Sequence, residues 1–166
     1  DEATNVLIVS DIIHPDLGML KKAITTNEQR TVTFKKSSEA ASILNEYQLI
    51  ILYQPDREFT SVYREIQRLN KYTFAITWTK TDWDFLNSAQ KCNAKDVTNL
   101  AEDPSSLLNP NYGIFAIDDI GFDDFPPLQT LFGQLTVEVP HETIWEQTID
   151  GIPSESPLLA TIEINN

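Results

Sequence analysis

Two histidines, one cysteine and two acidic runs hold most of the reactive chemistry available to this sequence. His14 stands in Asp11-Ile12-Ile13-His14-Pro15-Asp16, an imidazole between two carboxylates. So flanked, it could act as a base or hold a cation, or the acids could fix it so that it only shapes a turn. His141 follows Pro140 between two β-like segments and suggests no role. Transition-metal sites draw on His or Cys, so no dedicated metal site and no cofactor is expected from this set. Asp118-Asp119 and Asp123-Asp124 form a dense carboxylate patch. Calcium takes oxygen ligands, but this spacing fits no calcium loop, and a solvated acidic turn explains the patch as well. Cys92, the lone thiol, excludes an internal disulfide and reads as a half-buried small apolar side chain. Trp78, Trp83 and Trp145 could stack on a sugar or peptide. Trp78 at a strand end and Trp83 on an apolar helix face fit a core role better.

Several reactions are excluded by what is missing. Phosphate cradles need glycine, because backbone N–H groups must approach the anion closely. The five glycines, Gly18, Gly113, Gly121, Gly133 and Gly151, never open a helix after a strand in dinucleotide or P-loop spacing. A hydrolase of α/β architecture needs a nucleophile on a tight strand-to-helix turn. The natural position reads Trp78-Thr79-Lys80-Thr81-Asp82, without Cys, Ser or Gly, and Cys92 lies beyond the helix that follows. A phosphoacceptor aspartate would end the third strand, where the residues are Tyr53, Gln54 and Pro55, with Asp56 too late and Asp11 alone after the first strand.

The elements that must position these groups come from two hydrophobic periods. Asn5-Val6-Leu7-Ile8-Val9-Ser10 is a continuous apolar run, the pattern of a strand covered on both faces. Asp16 is a plausible N-cap for a helix carrying Leu17, Leu20 and Ile24. Thr31-Val32-Thr33-Phe34 reads as a second strand, Ser37 or Ser38 as the cap of a short helix through Leu44, and residues 47–53 as a third strand. Pro55-Asp56 opens a helix whose Phe59, Val62, Ile66 and Leu69 form one stripe. Residues 72–78 are a fourth strand, and Thr81 with Asp84 resembles a capping box for a helix to about Gln90. Such short alternation predicts right-handed crossovers and a parallel sheet. Residues 92–112, polar and broken by Asp103-Pro104 and Asn109-Pro110, read as a long loop; residues 113–117 as a buried strand; residues 118–127 as an acidic, turn-rich stretch. From Gln134 the alternation of Leu135, Val137 and Val139, then Thr143 to Trp145, then Leu158 to Ile164, predicts appended antiparallel structure. Ligands of open parallel sheets bind beyond the strand carboxyl ends, here the loops 10–16, 35–37, 54–56, 79–82 and 118–124.

The 166 residues suit one domain, divided into a regular β/α half over 1–91, the loop and a β-rich remainder over 113–166. With 25 acidic against 12 basic residues the net charge is −13, which disfavours nucleic acid and anionic membrane surfaces. No apolar run approaches about 18 residues, so direct membrane insertion is not expected. A first residue that is not Met, and an alternating 160–164 that breaks off at Asn165-Asn166 as a hairpin begins, suggest a piece of a longer parent.

Three stretches carry a family resemblance: Val6-Leu7-Ile8-Val9-Ser10-Asp11-Ile12-Ile13-His14-Pro15-Asp16, Tyr47-Gln48-Leu49-Ile50-Ile51-Leu52-Tyr53-Gln54-Pro55 and Thr79-Lys80-Thr81-Asp82-Trp83. With Asn109-Pro110-Asn111-Tyr112 and residues 118–128, they make the chain resemble, over essentially its whole length, the class I glutamine-amidotransferase-like domain. The particular likeness is to the copy in BatA-type bacterial envelope proteins with a von Willebrand factor A-like region; ThuA-like and GIFT-type domains are more distant. The resemblance implies a flavodoxin-like three-layer α/β sandwich with a mainly parallel sheet. It also implies a soluble segment on the periplasmic side of a membrane-anchored parent. True amidotransferases carry an elbow cysteine that this chain lacks, and His141-Glu142 has no nucleophile to serve. The expectation is therefore a non-catalytic module of the cell envelope that binds a protein or small ligand. Its rim would be Asp11, His14, Asp16, Gln54, Thr79, Lys80 and Asp82. The alternatives are a divergent or ThuA-like hydrolase of a sugar or amide, using His14 with Asp11 or Asp16, and a purely structural spacer.

Overall fold

Val6, Leu7, Ile8 and Val9 are all buried, so the strand they form is covered on both sides. This is β1 (Thr4–Val9), one of the two inner strands of a four-stranded parallel sheet with β2 (Arg30–Lys35), β3 (Leu49–Tyr53) and β4 (Tyr72–Ile76) in the order β2-β1-β3-β4. The computed structural model describes residues 3–164, apart from the side chains of Asp123 and Glu155; the expected Asn165-Asn166 turn lies outside them. The register sets Ile8 beside Phe34 and Ile51, and Ile51 beside Phe74. Val6, Ile8 and Ile51 share one face and pack under Leu17, Leu20 and Ile24 of α1 (Pro15–Ile24). The alternate residues Leu7, Val9, Ile50 and Leu52 point to the other face and are at most 1% exposed. The chain steps outward to β2 and then back past β1 to β3 and β4. Right-handed crossovers therefore put α2 (Ser37–Ala40) and α3 (Thr60–Leu69) on that second face. A 3-10 turn, Ala41–Glu46, prolongs α2, and another, Arg57–Phe59, leads into α3. α4 (Trp83–Ala89) follows β4.

The chain forms two compact units, one ending at Ala89 and one beginning at Gln90. The second unit is antiparallel. β5 (Asn93–Glu102) pairs with β7 (Thr130–Val137), and β6 (Ser105–Leu108), β8 (His141–Ile149) and β9 (Ile152–Ile162) form a three-stranded sheet in that order. The fold is thus mixed α/β, a parallel sheet followed by antiparallel ones. Among the described residues no helix is long and apolar enough to cross a membrane.

Several expectations are corrected. The segment 92–112 carries β5 and β6; Asp103-Pro104 and Asn109-Pro110 mark strand ends and do not interrupt one long loop. Polar residues suit a thin antiparallel ladder with one wet face, so composition is a poor guide there. Residues 113–117 are not a strand, and Ile114 and Phe115 are 60% and 52% exposed. A short apolar run has strand composition, but ladder partners decide its fate. Val139 lies past the end of β7. Caps move as well. His14, not Asp16, caps α1, because Pro15 occupies the first helical position and lacks an N–H. Lys36 precedes α2, and Asp82, not Thr81, caps α4 by accepting from Phe85 N at 3.0 Å. A further hairpin signal is Asp150-Gly151, both at positive φ, which joins β8 to β9.

Candidate functional site

The carboxyl ends of the parallel strands converge on three side-chain groupings. In the first, β1 gives way to residues 10–14, folded back by Ser10, whose Oγ donates to Ile12 O (2.8 Å) and accepts from Ile12 N (3.3 Å). Asp11 does not pair with His14. Its carboxylate accepts from Ser37 N (2.8 Å) and Ser37 Oγ (2.5 Å), locking this loop to the start of α2.

In the second grouping His14 and Asp16 do meet. Nδ1 of His14 lies 3.3 Å from Asp16 N and 3.2 Å from Asp16 Oδ1. A neutral Nδ1 accepts from the amide, and a protonated one donates to the carboxylate; one nitrogen does only one of these at a time. The imidazole stands 5.9 Å from the ring of Tyr53 and edge-on to Trp78 at 5.1 Å. Tyr53 Oη donates to Asp16 Oδ2 at 2.9 Å. Burial, and then the Asp16 carboxylate, push the Tyr53 phenol up to about 12. At neutral pH it is a fixed donor, neither a base nor a nucleophile.

The third grouping is the turn before α4. Gln54, at φ +48°, donates from its backbone N to Ile76 O (2.7 Å), and its Oε1 accepts from Lys80 N (2.8 Å). Thr81 Oγ1 accepts from Trp78 N (2.9 Å), and Asp82 N donates to Pro55 O (3.1 Å). The Phe85 amide first, and Arg57 Nε at 3.1 Å after it, hold the Asp82 carboxyl below the usual carboxylate range. Where a hydrolase would place its nucleophile, this chain has a structural turn whose polar groups bond to one another. Lys80 is exposed at its lip and Thr79 half-buried.

Beside the first grouping a groove of about 400 Å³ opens at the ends of β1 and β2. Ile8, Leu17 and Phe34 make its apolar floor, and Ile12 and Ile13 its lip. Ser10, His14, Lys35, Lys36 and Glu39 supply polar atoms, and Gly18 leaves one wall low. Lys21 Nζ sits 5.8 Å above the Phe34 ring. Of the seven expected rim residues only His14 lines this groove. Tyr53, Ser37 and the Phe34-Lys35-Lys36 strand end join the site without a signal of their own in the sequence, although the strand pattern puts the loop 35–37 on the ligand side; Trp78, expected in the core rather than as a stacking residue, stands beside His14.

Among its described residues the second unit adds no reactive constellation. Cys92 is half-buried, its Sγ 3.9 Å from Asn93 Oδ1, and burial raises its thiol, away from the thiolate that nucleophiles need. His141 is exposed, with Nδ1 3.1 Å from Val139 O. Asp118, Asp119 and Asp124 are exposed, and Asp119 Oδ1 accepts from Gly121 N (2.9 Å); the Asp123 side chain is outside the described residues. Among the described residues no group of three or more His, Cys, Asp or Glu side chains is placed to hold a metal ion. Trp83 is core at 5% exposure, Trp145 packs on Phe122 with ring centroids 5.0 Å apart, and Trp78 belongs to the His14 grouping. No protein-family model, curated protein or solved structure matches this chain.

Proposed function

We propose that this chain is a non-catalytic recognition module and that it binds through the carboxyl-end rim of its parallel sheet. One observation carries the reading. The rim presents an open, largely apolar groove beside His14, while the turn before α4 holds no nucleophile and bonds its polar groups internally. Open α/β sheets place ligands at this edge. The order β2-β1-β3-β4 also matches the first four strands of the flavodoxin-like order, which supports the likeness to glutamine-amidotransferase-like domains. Within that reading the module is a periplasmic-side part of a membrane-anchored envelope protein. Hydrophobic spans flanking the segment in the parent sequence are expected, and a parent without any would remove the envelope assignment.

The hydrolase reading draws on the His14–Asp16–Tyr53 chain, an imidazole oriented by an acid. It lacks an attacking group, since the hydroxyl in that chain is the firmly protonated Tyr53. The two readings separate in one experiment. The wild-type chain and His14→Ala are assayed against esters, amides and glycosides, and a fragment library is mapped by amide chemical shifts. The module predicts no turnover and fragment shifts confined to residues 10–14 and 35–37. Turnover that disappears in His14→Ala overturns it.

A further inference from the structure

We infer that the groove between the ends of β1 and β2 takes a small carboxylate with a hydrocarbon body. The inference rests on the recognition reading and names the ligand class of that same site. Water now covers apolar surface that a ligand body would cover better: Ile13 is fully exposed at 102% and Phe34 is 40% exposed, over a floor shared with Ile8 and Leu17. At about 400 Å³ the groove lies near the lower end of the roughly 300–1,000 Å³ spanned by small-molecule sites, so the body is compact.

The head group follows from charge. Lys35 and Lys36 line the groove, and Lys21 reaches over Phe34 from α1. Lys36 has no carboxylate partner among the described residues, and Glu39 touches Lys35 only at 4.0 Å. The other nearby acids are engaged elsewhere, Asp11 by Ser37 and Asp16 by Tyr53 and His14. Asp11 and Asp16 keep their charge but do not line the groove; the lining itself carries two ammonium groups, Lys35 and Lys36, against the single carboxylate of Glu39, which favours an anion. The lining contains no arginine fork, and its one glycine, Gly18, lies within α1 and builds no loop around an anion. The features that select a phosphate are missing, and a singly charged carboxylate fits the lysines.

The test is an amide chemical-shift titration of the full chain with octanoate, 1-octanol and octylammonium, one tail with three head groups. Octanoate is expected to shift the amides of Ser10, Ile12, Ile13, Lys35 and Lys36 saturably. Octanol should bind about tenfold more weakly, the worth of one charge-assisted contact, and octylammonium more weakly still. Lys35→Ala with Lys36→Ala should reduce octanoate to the affinity of octanol. Gly18→Leu should remove binding of all three. A Cβ there meets nothing within 4 Å, so a leucine extends from the helix into the groove, and leucine favours the helix, so that variant folds. Equal binding of octanoate and octanol overturns the carboxylate assignment and leaves the recognition reading standing. Octanoate binding that survives Gly18→Leu, or no saturable shift with any of the three, overturns the site itself. The recognition reading is decided separately, by the turnover assay and the fragment map.

Discussion

The phenol of Tyr53 is 1% exposed and donates to Asp16, so ionising it would bury one negative charge beside another. Its folded pKa, about 12, lies above the ordinary value of 10. The folded chain therefore holds more protons than the unfolded chain between those two pH values, and stability falls as pH climbs through that window. The contribution is complete below about pH 10, and every tenfold difference in proton affinity between the two states corresponds to about 1.4 kcal/mol. A spectrophotometric titration should show a late-ionising tyrosine that is absent from Tyr53→Phe, and that variant should lose less stability in alkali. A Tyr53 that ionises together with the exposed Tyr72 would contradict this. Asp82 offers a second test at the same scale. Asp82→Ala removes the cap of α4 and should cost about 1 kcal/mol in urea unfolding. Arg57→Ala should cost less than about 0.5 kcal/mol, because the Arg57 side chain is 74% exposed and its pairing is screened by water. Equal costs would mean that the ion pair, not the cap, fixes this turn.

At the scale of elements, one substitution has opposite signs at two glycines. Gly18 sits in the interior of α1, and a Cβ there meets nothing within 4 Å. Gly18→Ala should therefore stabilise by about 0.5–1 kcal/mol through helix propensity and a less flexible unfolded chain. Gly133 lies where β7 crosses β5 beside the register shift between Val97 and Ala101, and an added Cβ would collide with the Asp96 carbonyl oxygen. Gly133→Ala should cost more than about 1 kcal/mol, since backbone must move. Urea unfolding of both variants checks the pair of signs. These glycines also mark what was legible in the sequence. The parallel half was, because Val6 to Val9 and Leu49 to Leu52 are continuous apolar runs that alternate with helical periods, the pattern of doubly covered parallel strands. The antiparallel half is legible only from Gln134 onward. The strand Asn93–Glu102 keeps most of its residues partly or fully exposed and buries Lys95 against Glu102, so no apolar alternation announces it. The site was half legible for a related reason. His14 could be placed at the rim from its loop, but the groove draws on residues 8–18 and 34–39, which only strand pairing brings together. Likewise the Asp11–Ser37 lock spans 26 residues that no local spacing connects.

At the scale of the whole molecule, charge is divided unevenly. Through Ala89 there are ten Lys and Arg against twelve Asp and Glu; from Gln90 onward there are two against thirteen. The first unit is thus near neutrality at −2, and the second carries −11. One of its two cations, Lys95, is 6% exposed and lies 3.7 Å from Glu102, so it does little for the acids at the surface. Like charges held together by folding repel, and that repulsion is relieved when the unit opens. Salt shortens its range, from about 30 Å at 0.01 M to about 8 Å at 0.15 M. Raising the ionic strength should therefore stabilise the antiparallel unit selectively. Amide hydrogen exchange reads both units in one sample. Between those two concentrations, protection should rise over β5 to β9 and change little over β1 to β4. Sodium chloride and potassium chloride should act alike, because screening depends on ionic strength and not on which monovalent cation supplies it. If protection rises equally in both units, the self-repulsion of the acidic unit is not what salt relieves.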